Sequence, residues 1–357
     1  MDIDALRQEI DAIDKEVLKL LNQRVKAASK IGEIKKEHDA PVYVPAREEA
    51  VFKKLIKVSD GPLGEAEIRS IFREIISASI SLEKKMAIAF LGPEATFTHQ
   101  AAVKNFGSRL NYLPYPAIEA VFDAVEKREV DYGVVPIENS AEGTVFHTLE
   151  ALVDSELKIV AQITLPMEHC LIAKGSIEAV ERVYSKSEAL EACRDWLRRT
   201  VPNAALIETS HAGRAVELAR DEPGAAAIGS AFSATFYSMP MLAKGIQGGK
   251  NDEARFFIVG REMPKVMGGG LDKTSVLLAI PNAPGMLAKA IEPLSREGVD
   301  ITKIESRPNR KRPWDSVFFI DFIGHWEDAP VQAAMQAISE ASVEVKWLGS
   351  YPASSKL

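Results

Sequence analysis

Residues 134–140 read Val-Val-Pro-Ile-Glu-Asn-Ser (VVPIENS). The stretch opens with β-branched residues, as a buried strand does, and then stops at a carboxylate, an amide and a hydroxyl. In open α/β sheets ligands bind at the C-terminal ends of strands. Asn and Ser are also ordinary turn residues, so the stretch alone fits a strand end as well as a cleft. Its surroundings bear on the choice. From about residue 87 to 261, short apolar runs alternate with amphipathic helical patterns: AIAFLG, YGVVPI, LKIVAQITL, HCLIAKG, RVYS, AALIETS, AAAIGS and RFFIVG. That alternation predicts an α/β layout. KIVAQITLPMEHCLIA is nearly continuous, as a strand passing between two lobes would be.

The flanks have other textures. Residues 1–85 contain no strand signal. Ile3, Leu6, Ile10, Ile13, Val17, Leu20, Ala27, Ile31 and Ile34 step by threes and fours, a helical stripe at heptad spacing. A helix over 3–36 is about 50 Å long at ~1.5 Å per residue. Two shorter helices cannot cover such a rod, so it calls for a second chain. Pro45 opens the next helix at its N1 position. A third runs from Glu65 to Lys85, after the breaker SDGPLGE. Beyond a Gly-rich linker (MGGGLDK, 267–273), TSVLLAI, a helix, VDITKIESRP, DSVFFIDFIG, a helix and VEVKWLGSYP make a βαββαβ unit.

The chain has 357 residues, a formal net charge of −7 and 27% charged residues. This is the balance of a soluble multidomain protein with no nucleic-acid footprint. The first residues, MDIDALRQEIDAID, lack the apolar core of a secretory signal, and no run reaches the ~20 apolar residues of a membrane span. A cytoplasmic protein is expected. Cys170 and Cys193 fit neither a metal knuckle nor a redox pair, and no metal-site spacing appears.

Charges break the helical stripe where it should be apolar. Arg24 falls on the first helix's stripe, and Ser79 and Glu83 continue the face of Ile68, Phe72 and Ile76 on the third. A lone charge in a helix seam is costly. Arg7 and Lys35 lie on the flank, and Arg47 and Glu48 open the second helix. Solvated flank charges are the plainer reading for Arg7 or Lys35 alone; as a set, the charges predict a pocket for an anion. Arg7 and Arg24 are 17 residues apart, about 25 Å along one helix. They can share a small ligand only if an antiparallel partner helix brings Arg7 of one chain to Arg24 of another.

The set LRQEID, NQR, IGEIK, PVYVPAREE and ISLE resembles the all-helical chorismate mutase family. The resemblance implies a pericyclic rearrangement of chorismate to prephenate without a cofactor. It places Arg7 of the partner chain, Arg24 and Arg47 on the substrate carboxylates. Lys35 falls on the carboxylate and ether oxygen, Glu48 on the ring hydroxyl, and Ser79 against the pocket. Two positions depart from the family pattern: Val44 stands where an acid is common, and Glu83 where Gln often donates to the ether oxygen.

GPEATFTHQAA (92–102), YGVVPIENSAEGTV (132–145) and HCLIAKG resemble prephenate dehydratase. This implies two α/β lobes, similar to periplasmic binding proteins, with the site in the cleft. Prephenate there loses its ring hydroxyl as water and its ring carboxylate as CO2, giving phenylpyruvate. The implied catalytic residues are Thr96, Glu138 and Asn139; Thr98, Ser140, Thr144, Ser210 and Arg255 are implied substrate contacts. The family's Thr-Arg-Phe is Ala254-Arg255-Phe256 here, which removes a hydroxyl donor. An impaired dehydratase and lobes that only bind ligand therefore stand as alternatives, and arogenate as the dehydratase substrate is a separate third one. ESRP (305–308) and NAPGML (282–287) resemble a phenylalanine-sensing ACT regulatory domain. Its implied effector contacts are Asn282, Gly285, Met286, Leu287, Glu305 and Ser306.

The expected organisation is a helical mutase domain at 1–85 and a two-lobed dehydratase domain at 86–266. Lobe one spans about 86–160 and 240–261, and lobe two about 165–238. A ferredoxin-like α+β domain follows at 272–357. The expected partners are the two substrates, phenylalanine as effector, and a second copy of the chain in a dimer or a multiple of one. No nucleic acid, membrane, cofactor or metal is expected.

Overall fold

The computed structural model describes residues 2–38, 43–140, 143–248, 252–262, 272–308, 316–340 and 344–353. Pro41, Val42 and residues 267–271 of the Gly-rich linker lie outside these residues. The chain forms two compact units: Met1–Ala87 with Asn105–Asn111, and Ile88–Lys104 with Tyr112–Leu357.

The first unit is helical: α1 (Ile3–Glu37), α2 (Pro45–Val58) and α3 (Glu65–Glu83). Pro45 is the first helical residue of α2, as its fixed φ favours, and Glu65 and Glu67 oppose the helix dipole at the start of α3. Helices α2 and α3 are tied by ions. Arg69 makes a two-pronged contact with Glu49, both bonds at 2.9 Å, and Arg73 pairs with Glu48. The two guanidinium groups lie over the ring of the buried Phe52, at 5.2 and 4.8 Å from its centroid. The apolar stripe of α1 remains open within one chain: Ile10 is 57% exposed, Ile13 54% and Leu20 54%.

The second unit holds three sheets. The first is built from β1 (Ala87–Leu91), β2 (Asn111–Tyr115), β3 (Tyr132–Asn139), the two-residue β4 (Gly143–Thr144) and β5 (Lys158–Pro166). Helices α4 (Phe97–Phe106), α5 (Ile118–Glu126) and α6 (Phe146–Asp154) alternate with them. The second sheet contains β6 (Cys170–Ala173), β7 (Arg182–Ser185), β8 (Ala205–Glu208), β9 (Ala225–Gly229) and β10 (Met241–Lys244). Its helices are α7 (Ser187–Ala192), α8 (Arg194–Thr200), α9 (Ala212–Asp221) and α10 (Ala231–Phe236). The chain then returns to the first sheet as β11 (Glu253–Gly260), giving the order β2-β1-β3-β11-β5 with β4 against β3; the second runs β10-β6-β9-β7-β8.

The lobe limits need correction. Met241–Lys244, assigned to the first lobe from sequence, pairs antiparallel with β6 in the second, and β5 stays in the first sheet to Pro166. The chain therefore crosses between the sheets after Pro166 and returns after Lys244. The run MLAK is too short and unpatterned to reveal its partner. NYLPY, interrupted by Pro114, is a strand that the apolar pattern missed.

The third sheet comprises β12 (Asp272–Ile280), β13 (Ile301–Pro308), β14 (Ser316–Ile323) and β15 (Glu344–Pro352), ordered β13-β14-β12-β15. Helices α11 (Met286–Arg296) and α12 (Ala329–Glu340) pack on one face around Val276, Leu278, Ile320 and Phe322, completing the expected βαββαβ unit. The other face meets the first sheet. Phe257 of β11 lies 6.2 Å from Phe319 and 5.9 Å from Tyr351, ring centre to ring centre. A Cβ at Gly349 would fall 2.2 Å from the carbonyl oxygen of Ile159, so only glycine permits this approach to β5.

Candidate active sites

In the helical unit the structure brings Arg24 and Ser79 together and sets Glu83 further along the same two helices, against Gly32. Arg24 Nη1 donates to Ser79 Oγ at 3.0 Å, and the Ser79 hydroxyl donates to the Ile75 carbonyl at 2.8 Å. Glu83 fills the space over Gly32, where a Cβ would come within 2.1 Å of its carboxyl group. Glu83 Oε1 is buried with no hydrogen-bond partner among the described residues. Such an orphaned acceptor is costly unless a ligand serves it. Burial lowers the pKa of Arg24. Burial raises that of Glu48, against the pull of Arg73 and Lys35. Glu48, expected to meet a ring hydroxyl, is occupied by Arg73 in this structure, because α3 places that guanidinium opposite it. Arg47 is exposed, and Arg7 pairs with Asp4 at 3.1 Å on the open part of α1.

The second unit contains a cavity of about 410 Å3 to which both lobes contribute. Thr96 and Thr98 line it from the start of α4, Glu138 and Asn139 from the end of β3, and Ser210 and His211 from the turn before α9. Sequence reasoning missed His169, Ser185, Lys186 and Asp252, which also line it. The signal was faint: each sits at or beside the end of a strand without a recurring spacing. His169 is buried; its backbone N–H donates to Gln247 Oε1 at 2.9 Å, while its Nδ1 has no partner among the described residues. Burial pulls its pKa down against Asp252, favouring a neutral imidazole. Lys186 is the one Lys or Arg among the described lining residues.

The structure separates the other sequence candidates from this cavity. In the β3–β11 ladder Ala254 faces Asn139, and Arg255 faces Glu138. Successive strand residues point to opposite faces. Ala254 and Phe256 line the cavity; Arg255 does not. Its guanidinium pairs with Glu138, whose carboxylate also takes Lys303 Nζ at 3.0 Å. Thr144 lies opposite Glu138 in the β3–β4 pair, accepts from Lys303 at 3.0 Å and donates to Glu305 Oε2 at 3.0 Å. Ser140 fastens the strand end instead: its hydroxyl accepts from the Glu253 N–H at 3.0 Å. Ser140, Thr144 and Arg255 thus do not touch the cavity.

The effector candidates divide as well. Asn282, Met286 and Leu287 sit around Gly285, which caps α11 in the left-handed conformation with φ of 79°. Glu305 and Ser306 alternate on β13, so Glu305 turns toward Thr144 while Ser306 is exposed on the opposite face.

Comparison with known proteins agrees with this layout. The chorismate mutase type II family model matches residues 6–84, and the prephenate dehydratase family model matches 88–264. The chain is 44% identical over 352 residues to the bifunctional chorismate mutase/prephenate dehydratase of Aquifex aeolicus, covering 97% of both chains. It is 39% identical to the enzyme of that description from Neisseria gonorrhoeae, covering 97% of this chain and 96% of that one. The crystal structure of prephenate dehydratase in complex with L-Phe from Arthrobacter aurescens superposes with a TM-score of 0.69 at 28% identity, over 75% of this chain and 90% of that one. The chain belongs to the bifunctional chorismate mutase/prephenate dehydratase family.

Proposed function

We propose that residues 1–85 convert chorismate to prephenate and that the two-lobed segment at 86–266 converts prephenate to phenylpyruvate. The observation that carries the second assignment is the cavity itself, where the GPEATFT and VPIENS segments meet. In the rearrangement Arg24 and Lys35 hold the substrate's carboxylates and stabilise charge on the ether oxygen, with Arg7 supplied by a second copy of the chain. The buried oxygen of Glu83, once protonated, donates to the ether oxygen. The open stripe of α1 supports a dimer as the smallest active form.

In the cleft the ring hydroxyl leaves as water, taking a proton, while the ring carboxylate departs as CO2 and its electron pair completes the aromatic ring. Thr96, Thr98 and neutral His169 are the donors in reach of such a substrate; Asn139 orients it, and Lys186 holds a carboxylate. Ala254 contributes a methyl group, so the departing hydroxyl relies on these neighbours. The segment 272–357 is an ACT regulatory domain that binds phenylalanine at the Asn282–Leu287 loop and Ser306. Support comes from the βαββαβ topology, the positive φ at Gly285 and the L-Phe complex of the Arthrobacter relative.

The purified chain incubated with prephenate tests the assignment. Phenylpyruvate absorbance should rise. Binding of prephenate by calorimetry with no phenylpyruvate would reduce the lobes to a ligand-binding module and overturn the reading.

A further inference from the structure

The third sheet sends a charged strand face into the back of the dehydratase sheet. On β13 the side chains of Lys303, Glu305 and Arg307 point the same way. Only 9% of the Lys303 side chain is exposed, and its Nζ reaches both Glu138 Oε2 and Thr144 Oγ1 at 3.0 Å. An ammonium group is buried in this way only if its partners repay the lost hydration. They are the Glu138 carboxylate, Thr144, and the more distant Glu305 and Asp321, against the repulsion of Arg255.

What Lys303 holds is the end of β3. The β3–β11 ladder is irregular between Arg255 and Phe256, so Ile137 is an extra residue in β3. Bulges re-aim side chains and loosen pairing, and they are common beside active sites. Past this bulge lie only Glu138 and Asn139, and Asn139 looks into the cavity. The two-residue β4 is a weak clamp. Arg255 and Lys303 grip Glu138 from β11 and from the third sheet, and this fixes the direction of its neighbour.

We propose that Lys303 is a positioning residue for the dehydratase site, acting through Glu138 on Asn139, so that the C-terminal sheet completes that site. The proposal rests on the dehydratase reading given above. The adjacent Glu305, bonded to Thr144, makes the same joint the point at which the third sheet reaches the cleft.

The test uses the full chain with prephenate and follows kcat and KM separately. Lys303→Met keeps the length of the side chain and removes the charge. Misplacing a group by about 1 Å costs on the order of 10²-fold, so kcat should fall about ten- to a hundredfold while KM moves less than about threefold. Lys303→Arg should recover most of the loss. Thr144→Val should lower kcat less, and should have no further effect once Lys303→Met is present, since the two act as one unit. Mutase activity of each preparation reports the folded concentration. A Lys303→Met chain with wild-type kcat overturns the proposal. So does additivity of the two substitutions, or a loss shared equally by the mutase, either of which marks mere packing. A wild-type chain that makes no phenylpyruvate instead sinks the dehydratase reading beneath it.

Discussion

The helical unit builds its candidate site from permanent charges along a seam that one chain leaves open, whereas the α/β unit encloses a cavity within a single chain and lines it with hydroxyls, an amide, two imidazoles and carboxylates beside Lys186. The chemistry accounts for the contrast. On the proposed reading the mutase substrate is held by its carboxylates while its bonds rearrange, so guanidinium and ammonium groups suffice. The dehydratase must shed a charged carboxylate as neutral CO2. A strongly cationic cleft would stabilise the charge that has to be lost. Arg255 and Lys303 are absent from the cavity lining and pair with Glu138, and Lys186, the one Lys or Arg among the described lining residues, pairs with Glu188 at 3.5 Å.

The largest expected effect falls on the charged site. Arg24→Ala removes a half-buried cation that now meets Ser79. Mutase kcat/KM should drop by about 10²–10³-fold, with dehydratase turnover of the same sample unchanged. A parallel loss of both activities would break the separation of the sites.

A stability effect comes next, in the α/β unit. His99 stacks on Phe90 at 4.4 Å, meets Phe232 and Phe236 of α10 edge-on, and its Nδ1 accepts from the Ala95 N–H at 3.1 Å. Burial lowers its pKa from 6.5 to about 4. Between these values the unfolded chain binds a proton that the folded chain refuses. Stability is therefore intact above pH 6.5 and falls as the pH drops toward 4, by at most about 3 kcal/mol. Urea unfolding at pH 7 and 4.5 should show this loss in the wild type and a smaller one in His99→Phe. Equal losses would remove His99 from the account.

The contrast can be sharpened at Ala254, where the sequence resemblance leads to an expectation of threonine. Ala254→Thr places a hydroxyl on the cavity side of β11, opposite Asn139. Dehydratase kcat should rise at least about tenfold with little change in KM, because the new bond matters mostly in the transition state. No change would show that Thr96, Thr98 or His169 already fills the role.

Much of this was legible in the sequence, and the misses have physical causes. The helical stripe, Pro45 at a helix start and the βαββαβ order are local patterns, and local patterns set local structure. The cavity needed two distant segments to meet, which only their joint presence suggested. Arg255 could have been separated from Ala254 earlier, since neighbours on a strand face opposite ways. Lys303, Glu305 and Arg307 follow the same period of two, but a charged face on an edge strand reads as solvated until another sheet is known to cover it. The Arg69 and Arg73 pairs with Glu49 and Glu48 join separate helices, and no single helix's spacing reveals them.

The smallest effect is expected at the effector segment. Ser306→Ala removes one neutral hydrogen-bonding group, so calorimetry should find phenylalanine binding weakened about fivefold. Unchanged affinity would move the effector off β13.

The proposed mutase site takes residues from two chains and the dehydratase site from one, and mixing inactive variants tests this proposal most directly. Arg7→Ala and Arg24→Ala chains are each prepared, unfolded together and refolded, and both activities are assayed. In a two-fold dimer every hybrid carries one intact mutase pocket, so random mixing should restore about a quarter of wild-type mutase activity, while dehydratase activity stays level in every sample. A mixture no more active in the mutase reaction than its parents would contradict the account.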